Sequence, residues 1–359
     1  MMSSIVVLGV VLVLAILYLI FRVSSLVSVA KGKKEGEVGA SNGLNATLFI
    51  IFMITSLGGF FWYSYTHFDS YTLPVASEHG AWTDTLFWIT MAVTVVAFVI
   101  ISIIMFVFLY KYQYKEGRKA TFFPDNHYLE LAWTIIPAIV LAVLIFTGLR
   151  AWNDITAPAS QEAEVIELVA QQFAWTARYP GKDNVLGDYN FKLIDPVNEF
   201  GLDLSDNKGF DDFKSLELHL PVGKEVLLKI RAKDVLHSVF LPHFRVKMDA
   251  VPGMPTHFKF KATKTTQEMR DELGNQTFNY EMACTEICGK GHFSMRFPVV
   301  VDTQEDFERW KLSQEAWLKQ NPEYLKNVPA GLRESAMIKS GLPIEAGAPV
   351  VQATGVGSN

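Results

Sequence analysis

Four stretches of the chain are apolar almost throughout and carry no charged residue: Ile5 to Phe21, Ala46 to Tyr65, Leu86 to Tyr110 and Leu131 to Leu149. Each approaches the ~20 residues that a helix needs to cross a ~30 Å hydrocarbon core. The pattern therefore predicts four transmembrane helices. From Trp152 onward the period changes to that of strands. Glu164-Val165-Ile166-Glu167-Leu168-Val169, Leu216-Glu217-Leu218-His219-Leu220 and Glu225-Val226-Leu227-Leu228-Lys229-Ile230 are short β-rich runs. Breaks such as Pro221-Val222-Gly223 separate them, which suggests a sandwich or barrel rather than a βαβ fold. Asp183 to Phe213 is polar, rich in Asp and aperiodic, and reads as a surface insertion. After Asp302 the pattern turns helical around Phe307, Trp310 and Trp317, and the weakly patterned tail from Ala330 is expected to gain order from a partner.

The expected organisation is an anchor helix with a cytoplasmic loop (1–43), a second helix with an outer loop (44–85), a helical hairpin (86–151), a β domain (152–302), and a helical segment with a tail (303–359). Half of the 359 residues are hydrophobic and 19% are charged, with the apolar share concentrated at the N-terminal end. Loop charges orient the spans. Arg22, Lys31, Lys33 and Lys34 follow the first, and Lys111, Lys115, Arg118 and Lys119 follow the third, whereas Thr66 to Thr85 has no Lys or Arg. The positive-inside rule puts those basic loops in the cytoplasm and the β domain outside. Ser28-Val29-Ala30 resembles a signal cleavage site, but no basic residue precedes the first run and cleavage would leave three spans. The first span is read as a permanent anchor. No nucleic-acid partner is expected.

The chemistry is concentrated in EMACTEICGKGHFSMRFP, residues 281–298, which holds the chain's two cysteines, Cys284 and Cys288, with Glu286, His292 and Met295. Thiolate and thioether suit Cu(I) and other soft centres, while imidazole suits copper, zinc and iron. Copper leads on ligand type. A Cys284–Cys288 disulfide would leave His292 and Met295 unexplained, and structural zinc rarely takes Met. A closed site needs a second imidazole. His237 is the upstream candidate, with His243 a competitor that spacing does not exclude. Two thiolates can bridge two copper ions, each completed by one imidazole and one weak donor, Met295 or a backbone carbonyl such as that of Glu286. His219 and His257 read as ordinary strand or surface histidines.

C-T-E-I-C-G-K-G-H-F-S-M, with upstream D-V-L-H-S and M-D-A-V-P-G, resembles the dinuclear copper (CuA) domain of cytochrome c oxidase subunit II, over roughly Leu86 to Trp310. The resemblance implies a cupredoxin-like Greek-key barrel. It implies copper ligation by His237, Cys284, Cys288, His292, Met295 and the Glu286 carbonyl, without His243, and a magnesium ion shared with subunit I through the Glu286 carboxylate. L-E-L-A-W-T-I-I-P, from Leu129 to Pro137, is similar to the start of the second helix of the family's hairpin. Spans three and four are then that hairpin, and spans one and two are an addition like that of long forms from Bacteroidetes-type bacteria. Glu130 matches a family carboxylate at the mouth of a proton pathway into subunit I. Gln171 to Pro180 resembles the aromatic segment through which electrons arrive from cytochrome c, but Phe173, Ala174 and Trp175 stand where many members carry Trp-aromatic-Trp. The expected donor path runs through Phe173 and Trp175, with Asp234 helping to dock a basic cytochrome.

The implied protein is subunit II of a respiratory haem-copper oxidase, multi-pass in a bacterial inner membrane with its copper domain in the periplasm. It would take electrons from a c-type cytochrome (free, fused or held in a supercomplex) and pass them to haem in subunit I, where oxygen is reduced and protons are pumped. The chain itself would hold no oxygen-reducing centre. Quinol oxidase subunits resemble this fold without the copper ligands. A copper chaperone would need one anchor and an exchangeable site, and nitrous oxide reductase a much larger catalytic domain.

Overall fold

The computed structural model describes residues 2–30 and 40–343. Lys31, Lys33 and Lys34, on which part of the loop-charge argument rests, and the end of the tail lie outside the described residues. Among the described residues five helices come first: α1 (Met2–Ala30), α2 (Ala40–Thr66), the short α3 (Phe68–Tyr71), α4 (Glu78–Lys111) and α5 (His127–Thr156). Among the described residues, three stretches are long and apolar enough to cross a membrane: Ser41–Thr66, Glu78–Lys111 and His127–Thr156. They match the second, third and fourth expected spans. The first span is not established at that length, since α1 contributes a shorter apolar run, Val11–Val27.

The chain divides into two compact units. One gathers the residues through Tyr71 with Thr90–Pro137. Within it Phe106 packs on Phe49 and Phe52 at ring separations of 6.2 and 5.9 Å, and Phe98 on Phe60 at 6.3 Å, so α2 lies along α4 through aromatic contacts. The Asn42 side chain donates to the Tyr114 carbonyl. Asn126 starts α5 by accepting from the Leu129 amide, which places Glu130 in the exposed first turn.

The other unit joins Thr72–Ile89 to the residues from Ala138 onward. Its described residues form ten strands: β1 (Glu164–Gln171), β2 (Ala174–Tyr179), β3 (Phe213–Ser215), β4 (Leu218–Pro221), β5 (Glu225–Ala232), β6 (His237–Leu241), β7 (Val246–Ala250), β8 (Thr256–Lys261), β9 (Tyr280–Cys284) and β10 (Arg296–Asp302). They form two five-stranded sheets, ordered β3-β2-β1-β5-β8 and β4-β10-β9-β6-β7. Parallel pairs β1·β5 and β10·β4 occur among antiparallel neighbours. The inner faces bury Ile166, Leu168, Leu218, Leu220, Leu228, Ile230, Val239, Tyr280 and Val299. This is a β-rich, cupredoxin-like domain. It also carries α6 (Thr266–Leu273), α7 (Gln304–Ser313), α8 (Trp317–Gln320) and α9 (Arg333–Ser340).

The insertion is not the surface loop that its composition suggests. Phe200, Leu202, Leu204 and Phe210 are buried in a second core with Trp317, Leu318, Val328 and Ala336. Of the tail, Ala336 is buried in this core and Leu332 and Leu342 pack against it. Tyr324 donates to the Asp195 carboxylate, and the Trp317 amide to the Asp212 carbonyl. Beneath this layer Arg178 bonds Glu167 at 2.6 Å and Asp212 at 2.8 Å, while Arg231 bonds Glu167 at 2.8 Å and stacks on Tyr189. Burial alone would raise the Glu167 carboxyl, but the two guanidinium groups outweigh it and hold it at about 2. Burial pushes Asp212 up to about 7 despite Arg178, and Asp211 and Glu167 add to the rise.

Candidate metal centre

β6 opens with His237 and β9 ends with Cys284, and the two strands pair through Val239 and Cys284. The loop leaving β9 returns to β10 through a short 3-10 turn, His292–Ser294, and its neck is closed by the Cys284 amide donating to the Met295 carbonyl at 3.1 Å. The Thr285 amide ties the loop to the Ser238 carbonyl. One loop and one adjacent strand thus bring together every residue of the expected copper set.

The two sulfurs lie 4.0 Å apart, and both cysteines are free and buried. That separation is about twice a disulfide bond length, so the disulfide reading does not describe this site. His237 Nδ1 is 3.9 Å from Cys284 Sγ, and His292 Nδ1 is 3.7 Å from Cys288 Sγ. Met295 Sδ lies 3.8 Å from Cys288 Sγ, and the Glu286 carbonyl oxygen 3.3 Å from Cys284 Sγ. His237, Cys284 and Cys288 offer ligand atoms all within 4.8 Å of one another. Burial, followed by the charge of Cys284 and the hydrogen bond to it, pushes the Cys288 thiol up to about 11. Two thiols crowded in this way are relieved by a soft cation that replaces their protons. The set of two sulfurs, two Nδ1 atoms, a thioether and a carbonyl fits copper better than zinc.

The surrounding residues fix the ligands. Asp234 accepts from His237 Nε2 at 2.9 Å, which turns Nδ1 toward the sulfurs. The same carboxylate accepts from the Val235 and Gln172 amides. The Gln172 side chain donates to the Cys288 carbonyl at 2.5 Å, so the residue before Phe173 touches both ligand-bearing segments. Sequence reasoning missed Gln172. Asp234 was legible only as a surface acid, although the D-x-x-H spacing is a signal for a carboxylate that orients a histidine ligand.

Phe173 is 40% exposed and its ring rests on Gly289 and Gly291. Trp175 is buried beneath, 5.9 Å from His237 between ring centres, with its indole N–H unpartnered. His243 stands apart, edge-on to Phe278 and Tyr280. His219 stacks on Trp310 and bonds Asp302, while His257 bonds the Thr156 carbonyl. Ile287 and Phe293 project from the loop, 86% and 82% exposed, and leave an apolar rim beside half-exposed His292.

Two family models match the chain. Cytochrome C oxidase subunit II, periplasmic domain, matches residues 165–304, and cytochrome C oxidase subunit II, transmembrane domain, matches residues 62–151. Alternative cytochrome c oxidase subunit 2 of Bradyrhizobium diazoefficiens is 35% identical over 243 residues, spanning 66% of this chain and 81% of that protein. Cytochrome c oxidase subunit 2 of Thermostichus vulcanus is 32% identical over 266 residues, 67% of this chain and 77% of the other. The periplasmic domain of cytochrome oxidase subunit II of Bradyrhizobium japonicum covers 44% of this chain and 94% of its own at 24% identity and a TM-score of 0.29.

Proposed function

The chain belongs to the cytochrome c oxidase subunit II family, and on that premise we propose that it receives electrons from a c-type cytochrome and delivers them to haem in subunit I. It is a membrane protein with a periplasmic domain, part of an oxidoreductase complex in which oxygen is reduced elsewhere and proton pumping follows. The observation that carries the reading is the convergence of His237, Cys284, Cys288, His292, Met295 and the Glu286 carbonyl in one cluster. A bound copper pair supplies a one-electron store there. The residues do the rest. Cys284 and Cys288 would hold the pair together with the His237 and His292 imidazoles and the two weak donors, Met295 and the Glu286 carbonyl, and the loop tied to Ser238 and Met295 orients these donors.

Phe173 is proposed as the point of electron arrival, with Trp175 between it and His237, and Asp234 as a secondary docking charge. The Glu286 carboxylate would share a magnesium ion with subunit I, and Glu130 would feed a proton pathway. The chain is further proposed as a long form, multi-pass in a bacterial inner membrane. In it α1 is a fourth span, α1 and α2 are additions, and the segments divide at residues 43, 85, 151 and 302. The test is rapid mixing of the copper-loaded full chain with reduced c-type cytochrome. Oxidation of the cytochrome in step with bleaching of the copper absorption is expected, and it should disappear in Cys288→Ser. Equal cytochrome oxidation by wild type and Cys288→Ser would overturn the reading.

A further inference from the structure

Arg245 sits between the turn that ends β6 and the start of β7, with its backbone at φ 54°, in the left-handed region where glycine is at ease and arginine is not. A residue held there persists because its surroundings determine it. Its guanidinium makes a two-pronged pair with Asp84 in the second turn of α4, Nε to Oδ1 at 2.7 Å and Nη2 to Oδ2 at 2.8 Å. The remaining donors bind the Pro242 and Leu73 carbonyls, each at 2.6 Å.

The same turn is gripped from the other side by the segment leading into α4. The Ala76 amide donates to the His243 carbonyl, Ser77 Oγ to the Phe244 carbonyl at 2.6 Å, and the Thr263 amide to the Ala76 carbonyl. Ala76 is fully buried in the domain core, and Gly80 lies so close that an added Cβ would come within 3.2 Å of Arg245 Cγ and 2.5 Å of Ser77 Oγ. This contact ends on the β6–β7 hairpin. That hairpin begins with His237 and pairs with the strand that ends in Cys284.

We infer that Arg245 and Asp84 are a positioning pair for electron transfer out of the copper site: they lock the hairpin carrying His237 to the first turns of α4, and so hold the donor at a fixed place relative to the electron acceptor in subunit I. The inference rests on the function proposed above. Neither side chain touches a ligand, so the pair acts through the hairpin rather than on the copper. The planar fork makes arginine specific here, because lysine offers one point charge and cannot reach both carboxylate oxygens and two carbonyls together.

The test uses the full chain in its assembled oxidase, with isosteric Asp84→Asn and with Arg245→Gly, which suits the positive φ while removing the guanidinium. Amide hydrogen exchange at Ala76, Arg245 and Thr263 should speed about tenfold or more. Transfer from copper to haem should slow about tenfold or more, as expected for a misplaced reaction partner. The copper spectrum and its reduction by cytochrome should stay as in wild type. Unchanged outward transfer overturns the inference, whether or not exchange accelerates, since the pair would then only stabilise the fold. The exchange arm needs no copper. A wild-type chain without a copper signal would therefore sink the functional reading while leaving the mechanical joint measured by itself.

Discussion

Gly291→Ala tests whether Phe173 and the ligand loop form one packed unit. A Cβ at residue 291 would stand 2.4 Å from Phe173 Cγ, 2.6 Å from Cδ2 and 2.9 Å from Cβ, where ordinary contact begins at 3.4 Å. Ring or loop must therefore move by about 1 Å (3.4 minus 2.4). The ring cannot simply rotate away, because its own Cβ is one of the contacts, and the neighbouring Gln172 is tied to Cys288 and Asp234. An unloaded loop can relax outward. Gathering His292 and Cys288 onto copper returns it against Phe173, so an overpacking cost of ~1–3 kcal/mol should fall on copper binding, about 5- to 150-fold in affinity. Copper affinity is read by competition with a chelator on the full chain in detergent, and site symmetry by paramagnetic resonance. Phe173→Ala in the same chain removes the Cγ and Cδ2 contacts and should recover most of the loss. Copper affinity and spectrum unaltered in Gly291→Ala, or no recovery in the double variant, would refute the reasoning.

Asp234→Ala removes the acceptor that orients His237 and should weaken copper binding by ~10–100-fold while the domain stays folded; an affinity within twofold of wild type would assign Asp234 to the surface alone. Arg178→Met strands Asp212 and half of the Glu167 pairing in the interior, and should cost ~3–5 kcal/mol in denaturant unfolding of the periplasmic domain within the full chain; a loss below 1 kcal/mol would contradict the buried-cluster account. Asp212 holds its proton more tightly folded than unfolded, so its contribution is complete below about pH 4 and is lost as pH rises through about 7. The unfolding midpoint of wild type should fall across that window and that of Asp212→Asn should fall less, and parallel curves would show that Asp212 does not titrate there.

Local periodicity and donor chemistry made much of this protein legible. The alternation at Glu164–Val169 and Glu225–Ile230 became β1 and β5, and the soft donors of residues 284–295 lie within one loop, where spacing alone brings them close. His237 was reachable because a soft cluster lacking a second imidazole asks for one. Long-range pairing was not legible. Phe200 and Phe210 sit among turn-forming Asp and Asn residues, and nothing local says that they will be buried by Trp317 and Ala336 from the far end of the domain. Gln172 carries no periodic signal, and its bond to the Cys288 carbonyl spans 116 positions. The left-handed backbone of Arg245 was hidden for the same reason, since its partner Asp84 lies 161 residues away in a helix. For α1, hydropathy suggested a full span where the described apolar run is Val11–Val27.

The central proposal is that Cys284 and Cys288, with His237, His292, Met295 and the Glu286 carbonyl, would hold a pair of copper ions. Its most direct test is metal analysis combined with paramagnetic resonance on the full-length chain after copper loading. The account predicts two coppers per chain and the multi-line hyperfine pattern of one electron shared equally by two copper nuclei, collapsing in Cys288→Ser. One copper per chain with the pattern of a single nucleus, or stable zinc in its place, would contradict it.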